Sequence, residues 1–341
     1  MLCPARNAFL GLFLFFALWS PCAFAQAGVP VLRISTENSE DHVQSIAVAG
    51  FIEQLKRRAG DSLAVEFHPS ARLFRDRDVV RALEQGRIEM AVPGVWQLDR
   101  FVPDAGLSFL PLAYGLDEAR IDKLRDGKIG ADINRRIEDN LGVKVLGRWI
   151  DLGAAHLFTL RARVRKIEDI SGLTIRTPGG EASALRLIAQ GAKPVAVPWP
   201  DLPNALKGRY LDGLVTTSET AASAKLWELG VRYLYEDRAY FAQYVPMVSG
   251  PFWNRLHPDL KSAIQDAWEA NVDMARQAAR QAQAQARAVL RANGVTITTP
   301  SPEELDKSRR LLMQQQPTMV KTLGIDPLLV KQAEQLLEGS P

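Results

Sequence analysis

Ile167-Glu168-Asp169-Ile170-Ser171-Gly172-Leu173-Thr174-Ile175-Arg176-Thr177-Pro178 is the stretch from which the fold is read. Leu173 to Arg176 forms a short apolar strand. Outward from it, a helix is expected around Ala182 to Gln190, a strand over Pro194 to Val197, a helix over Leu202 to Lys207 and a strand over Leu211 to Val215. Upstream, Lys144 to Ile150 and Ala155 to Leu160 read as two further strands. Short apolar strands separated by helical segments indicate an α/β unit with a largely parallel sheet.

The first third of the chain repeats this order. Val31 to Ser35 is a strand, and Ser39 is placed to cap a helix carrying Val43, Ile46, Ala47, Gly50, Phe51 and Leu55 at helical spacing up to Gly60. Leu63, Val65 and Phe67 alternate as a strand that Pro69 stops. A helix through Val79, Val80 and Leu83 ends at Gly86, and Ile88 to Val92 returns to strand character. Two α/β units are therefore expected, the chain first crossing between them near Leu152 to Ala154. From Pro258 to Ala292 nothing breaks a helix, which at 1.5 Å per residue is roughly 50 Å long. Residues 275–288 lack the large apolar residues of a coiled-coil seam, so the helix is read as lying along both units. Ser301-Pro302-Glu303-Glu304 is a capping box that starts another helix.

Composition narrows the function classes. The 341 residues carry 42 basic and 39 acidic side chains, a net of +3, with 47% hydrophobic residues and no basic tract. No nucleic-acid partner is expected. No run reaches the roughly 18 to 20 apolar residues that span a bilayer. Residues 1–25 read as a cleavable secretory leader: Arg6, an apolar run from Ala8 to Trp19, then Ala23-Phe24-Ala25, with Gln26 as the mature start. Cys3 and Cys22 leave with it, which removes thiol chemistry and disulfides from the mature chain. The four histidines, His42, His68, His156 and His257, have no spacing suited to a shared metal, and no metal or cofactor is expected. Nucleophile-elbow, zinc-protease and glycine-rich phosphate motifs are absent, so no catalytic residues are named.

The opening stretch continues into Gly191-Ala192-Lys193-Pro194-Val195, then Asp201-Leu202-Pro203-Asn204-Ala205-Leu206-Lys207-Gly208 and Leu211-Asp212-Gly213. This series resembles the DctP-like solute-binding proteins of tripartite ATP-independent periplasmic (TRAP) transporters. Their pattern runs "GlkiR-x-P", "lGa-x-p", then "a-L-x-x-G-x-x-DG". The likeness takes in Pro69 to Leu73, Val79 to Met90, Leu256-His257-Pro258-Asp259-Leu260 and the long helix, nearly all of the mature chain.

The resemblance implies an α/β, two-lobed periplasmic binding protein of type II-like build, with a hinge and the long C-terminal helix spanning both lobes. Lobe I is expected to hold residues 26–152 plus about 240–280, lobe II residues 153–239 plus about 281–330. Arg176 would receive a ligand carboxylate, a role that suits a permanently charged two-donor fork. A second arginine stands twenty residues earlier in sialic-acid-type relatives; here that position is His156, either a hydrogen-bond donor to ligand or a satisfied strand histidine. Thr216 and Thr217 occupy the place of a pocket asparagine, with mere strand-end exposure as the alternative. Trp199, held by Pro198 and Pro200, and Trp96 would wall the pocket, unless they are core residues. Tyr240, Phe241 and Tyr244 cluster near the expected hinge, Phe241 being taken as a ligand contact.

One clear arginine beside two tryptophans points to a monocarboxylate or 2-oxo acid with an apolar or aromatic body. Arg72, Arg75 and Arg148 are the other cations in reach of a second anion. The expected protein is a periplasmic monomer, not an enzyme, that hands a small organic acid to the membrane subunits of a permease driven by an ion gradient. Two alternatives stand beside this reading: a binding protein for an ABC importer or sensor kinase, and a secreted hydrolase with an unrecognised carboxylate pair.

Overall fold

The computed structural model describes Met1 and residues 28–338; the expected leader beyond Met1 and its expected cleavage site lie outside the described residues. Eleven short strands build two mixed sheets. They are β1 (Val31–Ser35), β2 (Ala64–His68), β3 (Met90–Ala91), β4 (Val143–Val145), β5 (Ile150–Thr159), β6 (Thr174–Thr177), β7 (Lys193–Ala196), β8 (Gly213–Thr217), β9 (Tyr233–Tyr244), β10 (Met247–Ser249) and β11 (Thr296–Thr298). The first sheet has the order β2-β1-β3-β10-β4, the second β11-β9-β5-β8-β6-β7.

The parallel pairs β1–β2, β1–β3, β6–β7 and β6–β8 are those the alternating pattern predicts. β5 and β8, both read as strands, pair antiparallel, and the remaining antiparallel partners come from elements that the pattern did not reveal. β10 inserts between β3 and β4, and β9 lies against β5 over most of its length. β9 escapes a reading by alternation because Glu236, Asp237 and Arg238 interrupt it. The structure accommodates them as a bulge between the Leu157–Tyr235 and Ala155–Tyr240 pairs, with Arg238 at φ +46°. The single strand expected over Lys144 to Ile150 is two, parted by a turn in which Gly147 has φ +126°. The first long helix begins at Val43, not after Ser39: His42 caps it, its Nδ1 accepting from the Gln44 amide at 3.1 Å.

β4 passes into β5, and β9 passes into β10, so neighbouring connections join the two sheets. The helix Pro258–Ala292 runs beside both, packing on Val43–Ala59 in the first lobe and on Ser218–Ser223 and β5 in the second. Gly50 permits that first contact, since a β-carbon there would lie 2.6 Å from Asn271 Oδ1. Trp268 fills the same seam, its ring edge-on to Phe51 at 5.4 Å and its Nε1 donating to the Arg148 carbonyl at 2.8 Å. Trp268→Ala is expected to cost about 3–5 kcal/mol, as for other fully buried aromatics, read as a lowered urea midpoint.

The sequence divides the lobes at 152 and 239, positions that fall inside β5 and β9. Downstream of the long helix the chain serves both lobes. β11 pairs with β9 in the second sheet. Helix Pro302–Met313, with its Ser301–Glu304 capping box formed, packs on Pro111–Ala113; helix Pro327–Glu338 packs on Glu118–Asp126 and Lys128–Leu141 of the first lobe.

Candidate ligand-binding site

The C-terminal ends of parallel strands are where open α/β sheets leave side chains free of pairing partners. Four such ends, after β1, β3, β6 and β8, meet one face of β9 in the cleft between the sheets. Glu37 and Asn38 follow β1, Trp96 follows β3, Arg176 lies on β6, and Thr216 and Thr217 end β8. From β9 the alternate residues Tyr240, Ala242 and Tyr244 face the cleft, with Asp76 and Trp199 closing it.

Arg176 is 1% exposed. Its Nε donates to the Val197 carbonyl at 2.9 Å, its Nη2 has no hydrogen-bond partner, and among the described residues it forms no ion pair. The guanidinium lies 5.9 Å from the Trp199 ring centre. Burial lowers its pKa, while Tyr240, Asp76, Glu37 and Tyr244 work to raise it. A buried cation without a counter-charge is costly unless a partner is supplied. Nη2 is thus a buried donor left open on the cleft.

The acidic side of the cleft is differently arranged. Asp76 accepts from the Arg77 amide at 2.9 Å and, across the cleft, from the Trp199 amide at 3.0 Å. Glu37 accepts from the Tyr244 hydroxyl at 3.2 Å. Burial first, then repulsion by Asp76, pushes the Glu37 carboxyl up to about 8, against the opposing pull of Tyr244 and Arg176. The Trp96 indole meets Tyr244 edge-on at 5.4 Å and leaves its buried Nε1 without a partner. Gly94 makes room for that ring, since a β-carbon there would lie 2.2 Å from it.

Thus Arg176, Trp199, Trp96, Thr216 and Thr217 are brought together in one cavity. The Thr217 hydroxyl also caps helix Ser218–Ser223, accepting from the Thr220 amide at 3.2 Å. His156, read as either a ligand donor or a satisfied strand histidine, and Phe241, taken as a ligand contact, do not line it. His156 sits in the β5–β9 bulge, where its Nδ1 accepts from the Arg238 amide at 3.2 Å, and burial pushes it down to about 4. Phe241 points to the opposite face of β9 from Tyr240 and Ala242, where Arg125 lies 5.9 Å from its ring. The other arginines are spent elsewhere: Arg72 on Glu40, Arg148 on Glu269 and Asp273, and Arg75 on Asp201. Glu37, Asn38, Asp76, Tyr240 and Tyr244 are the site residues that the sequence reading does not commit to. For the tyrosines the period-two spacing of 240, 242 and 244 carried the signal.

Contacts across the cleft hold it shut. Arg75 pairs with Asp201 at 2.6 Å, Gln97 donates to the Pro178 carbonyl at 3.1 Å, and Asp99 accepts from the Ala182 amide at 3.1 Å. His42 Nε2 lies 3.1 Å from both Thr220 Oγ1 and Glu219 Oε2. Outside the cleft, the carboxylates of Glu118, Asp122 and Asp151 approach within 4.8 Å of one another. Arg125 bridges Asp122 and Asp151, and Arg276 lies beside Asp151, so that trio is already neutralised.

Comparison with known proteins agrees with this architecture. The family described as "DctP: Bacterial extracellular solute-binding protein, family 7" matches residues 34–321. The 2,3-diketo-L-gulonate-binding periplasmic protein of Escherichia coli is 25% identical over 233 residues, covering 68% of this chain and 70% of its own. A TRAP periplasmic solute-binding protein from Ochrobactrum anthropi, its C-terminus bound in the ligand-binding pocket, superposes with a TM-score of 0.80 at 26% identity, covering 91% and 95% of the two chains. The sugar acid binding protein of Advenella mimigardefordensis, solved with galactonate, gives a TM-score of 0.84 at 21% identity over 91% and 98%.

Proposed function

Because this chain belongs to the DctP family of TRAP-transporter solute-binding proteins, which are not enzymes, we propose that it captures a small organic acid by its carboxylate on Arg176. The observation that carries the proposal is a buried guanidinium with Nη2 unpartnered and no ion pair, facing a cleft between two lobes. The ligand is a monocarboxylate or 2-oxo acid with an apolar or aromatic body. Arg176 is the one cation lining the cavity among the described residues, whereas a second ligand carboxylate would meet Asp76 and Glu37. Trp96, Trp199, Tyr240 and Tyr244 supply an aromatic wall. The 2,3-diketo-L-gulonate that names the Escherichia coli relative also carries a single carboxylate beside an oxo group.

Ligand bridging Arg176 and the first-lobe side chains stabilises the closed form at the expense of an open one. The protein then works in the periplasm as a monomer, delivering the acid to the membrane subunits of a permease driven by an ion gradient. The test is thermal unfolding of the protein with a panel of monocarboxylates, 2-oxo acids, sugar acids and C4-dicarboxylates. A ligand at a hundredfold excess over Kd stabilises by about 2.7 kcal/mol. A shift with monocarboxylic acids and none with dicarboxylates is expected. Tight binding of dicarboxylates alone overturns the ligand class, and silence across the panel with no acid seen by native mass spectrometry overturns the carboxylate reading.

A further inference from the structure

The cavity around Arg176 has about 30 Å³ of free space, on the order of one or two water molecules. It takes a carboxylate head and little more. Beyond Trp199 and Glu37, which line both spaces, a second chamber of about 320 Å³ lies between the lobes. For scale, an apolar cavity of roughly 150 Å³ holds a benzene ring.

The two walls of this chamber differ. On the second-lobe side stand Leu202, Pro203, Ala224, Leu226 and Leu229. On the first-lobe side stand Asn38, Ser39, His42 and Ser70, and the side-chain donors of the first three are engaged within the protein. Asn38 Nδ2 donates to Gln44 at 2.7 Å and to Tyr244 at 2.8 Å, Ser39 donates to Asp41, and His42 binds the Gln44 amide and faces Thr220. The surface left to interact with a ligand is therefore chiefly the apolar one.

We infer that this outer chamber is a subsite for the ligand body: an acid whose carboxylate sits on Arg176 threads past Trp199 and lays an apolar tail against Leu226, Leu229 and Ala224. The inference rests on the proposed carboxylate capture and adds a length requirement to it. Acids with no more carbon than the inner cavity holds leave the chamber unused, and longer ones gain by burying methylenes there. Each methylene so buried is worth about fourfold in affinity.

The experiment is calorimetric titration of straight-chain 2-oxo acids from pyruvate to 2-oxooctanoate, with phenylpyruvate as the aromatic member. The wild-type protein and two variants, Ala224→Phe, which fills the chamber, and Leu229→Ser, which makes its wall polar, are compared. The readout is the slope of log affinity against chain length, with pyruvate as the internal reference in each protein. In the wild type the slope is expected to approach fourfold per methylene up to about six carbons, and both variants should flatten it. A wild-type slope near zero with pyruvate still bound overturns the subsite and leaves the carboxylate reading standing. An undiminished slope in both variants also overturns it, because the tail then lies elsewhere. Binding of no member of the series overturns the subsite, while the parent reading falls only if the monocarboxylates and sugar acids of the wider panel are silent as well.

Discussion

Arg176→Met is expected to abolish acid binding while leaving the ligand-free protein at least as stable as the parent. Two charge-assisted hydrogen bonds to a carboxylate contribute about 1.5–3 kcal/mol each, so their loss lowers affinity by roughly a hundred- to ten-thousandfold. The stability half of the prediction separates a binding arginine from a structural one. Breaking a buried ion pair by removing one partner costs about 3–5 kcal/mol. Arg176 has no such partner; it is buried with Nη2 unsatisfied and a single hydrogen bond, to the Val197 carbonyl. Methionine keeps the apolar stem and removes the desolvated charge. Urea unfolding without ligand, set beside calorimetry with the best acid of the panel, measures both halves. A variant that unfolds several kcal/mol more easily would make Arg176 a structural residue. Arg176→Lys should recover only part of the affinity, because an ammonium is a point charge without the planar fork.

The contrast between Arg176 and the acidic side of the cleft shows what a single sequence makes legible. Arg176 sits in a dense local pattern, Gly172 to Pro178, which together with Gly191 to Pro194 and Asp212-Gly213 carries the family resemblance that marks it. The second-lobe wall came with it, because Trp199, Thr216 and Thr217 stand where the family pattern places pocket residues beside the same run of motifs. Glu37 and Asp76 carry no such mark. They are thirty-nine positions apart, and they meet because β2, β1 and β3 are adjacent and the closed cleft brings Trp199 down onto Asp76. His156 and Phe241 show the opposite case. His156 was suggested by the place of an arginine in relatives and Phe241 by its aromatic neighbours, but which face a residue takes is set by register, and the β5–β9 bulge shifts that register beside His156. The two-sheet architecture and the long helix were readable because apolar spacing and uninterrupted helical composition are local properties. β9 was not, since the charged Glu236-Asp237-Arg238 hides its pattern.

Closure of the cleft is expected to be proton-linked through Glu37, and the sign follows from its surroundings. Burial and Asp76 raise its carboxyl to about 8 in the closed cleft, whereas in an open, hydrated cleft it returns towards the ordinary carboxyl range near 4.5. Between those values the closed form holds a proton that the open form has released. Ligand-driven closure therefore takes up a proton, and affinity falls as pH rises through this window, by at most tenfold per unit. Below it both forms are protonated, above it both are ionised, and the dependence vanishes at each end. Asp99, which burial raises to about 6 where it meets the Ala182 amide across the cleft, adds a dependence of the same sign that ends lower. The interval from pH 7 to 8 thus isolates Glu37 from Asp99. Calorimetry in buffers of different ionisation enthalpy at pH 7 should show uptake approaching one proton per acid bound. Glu37→Gln, which keeps the shape and stays neutral, should remove most of that uptake and hold affinity level from pH 7 to 8. Were Glu37 ionised in the closed cleft, no proton would be taken up at pH 7, and the glutamine variant would bind acids more tightly than the parent by relieving the repulsion between Glu37 and the incoming carboxylate.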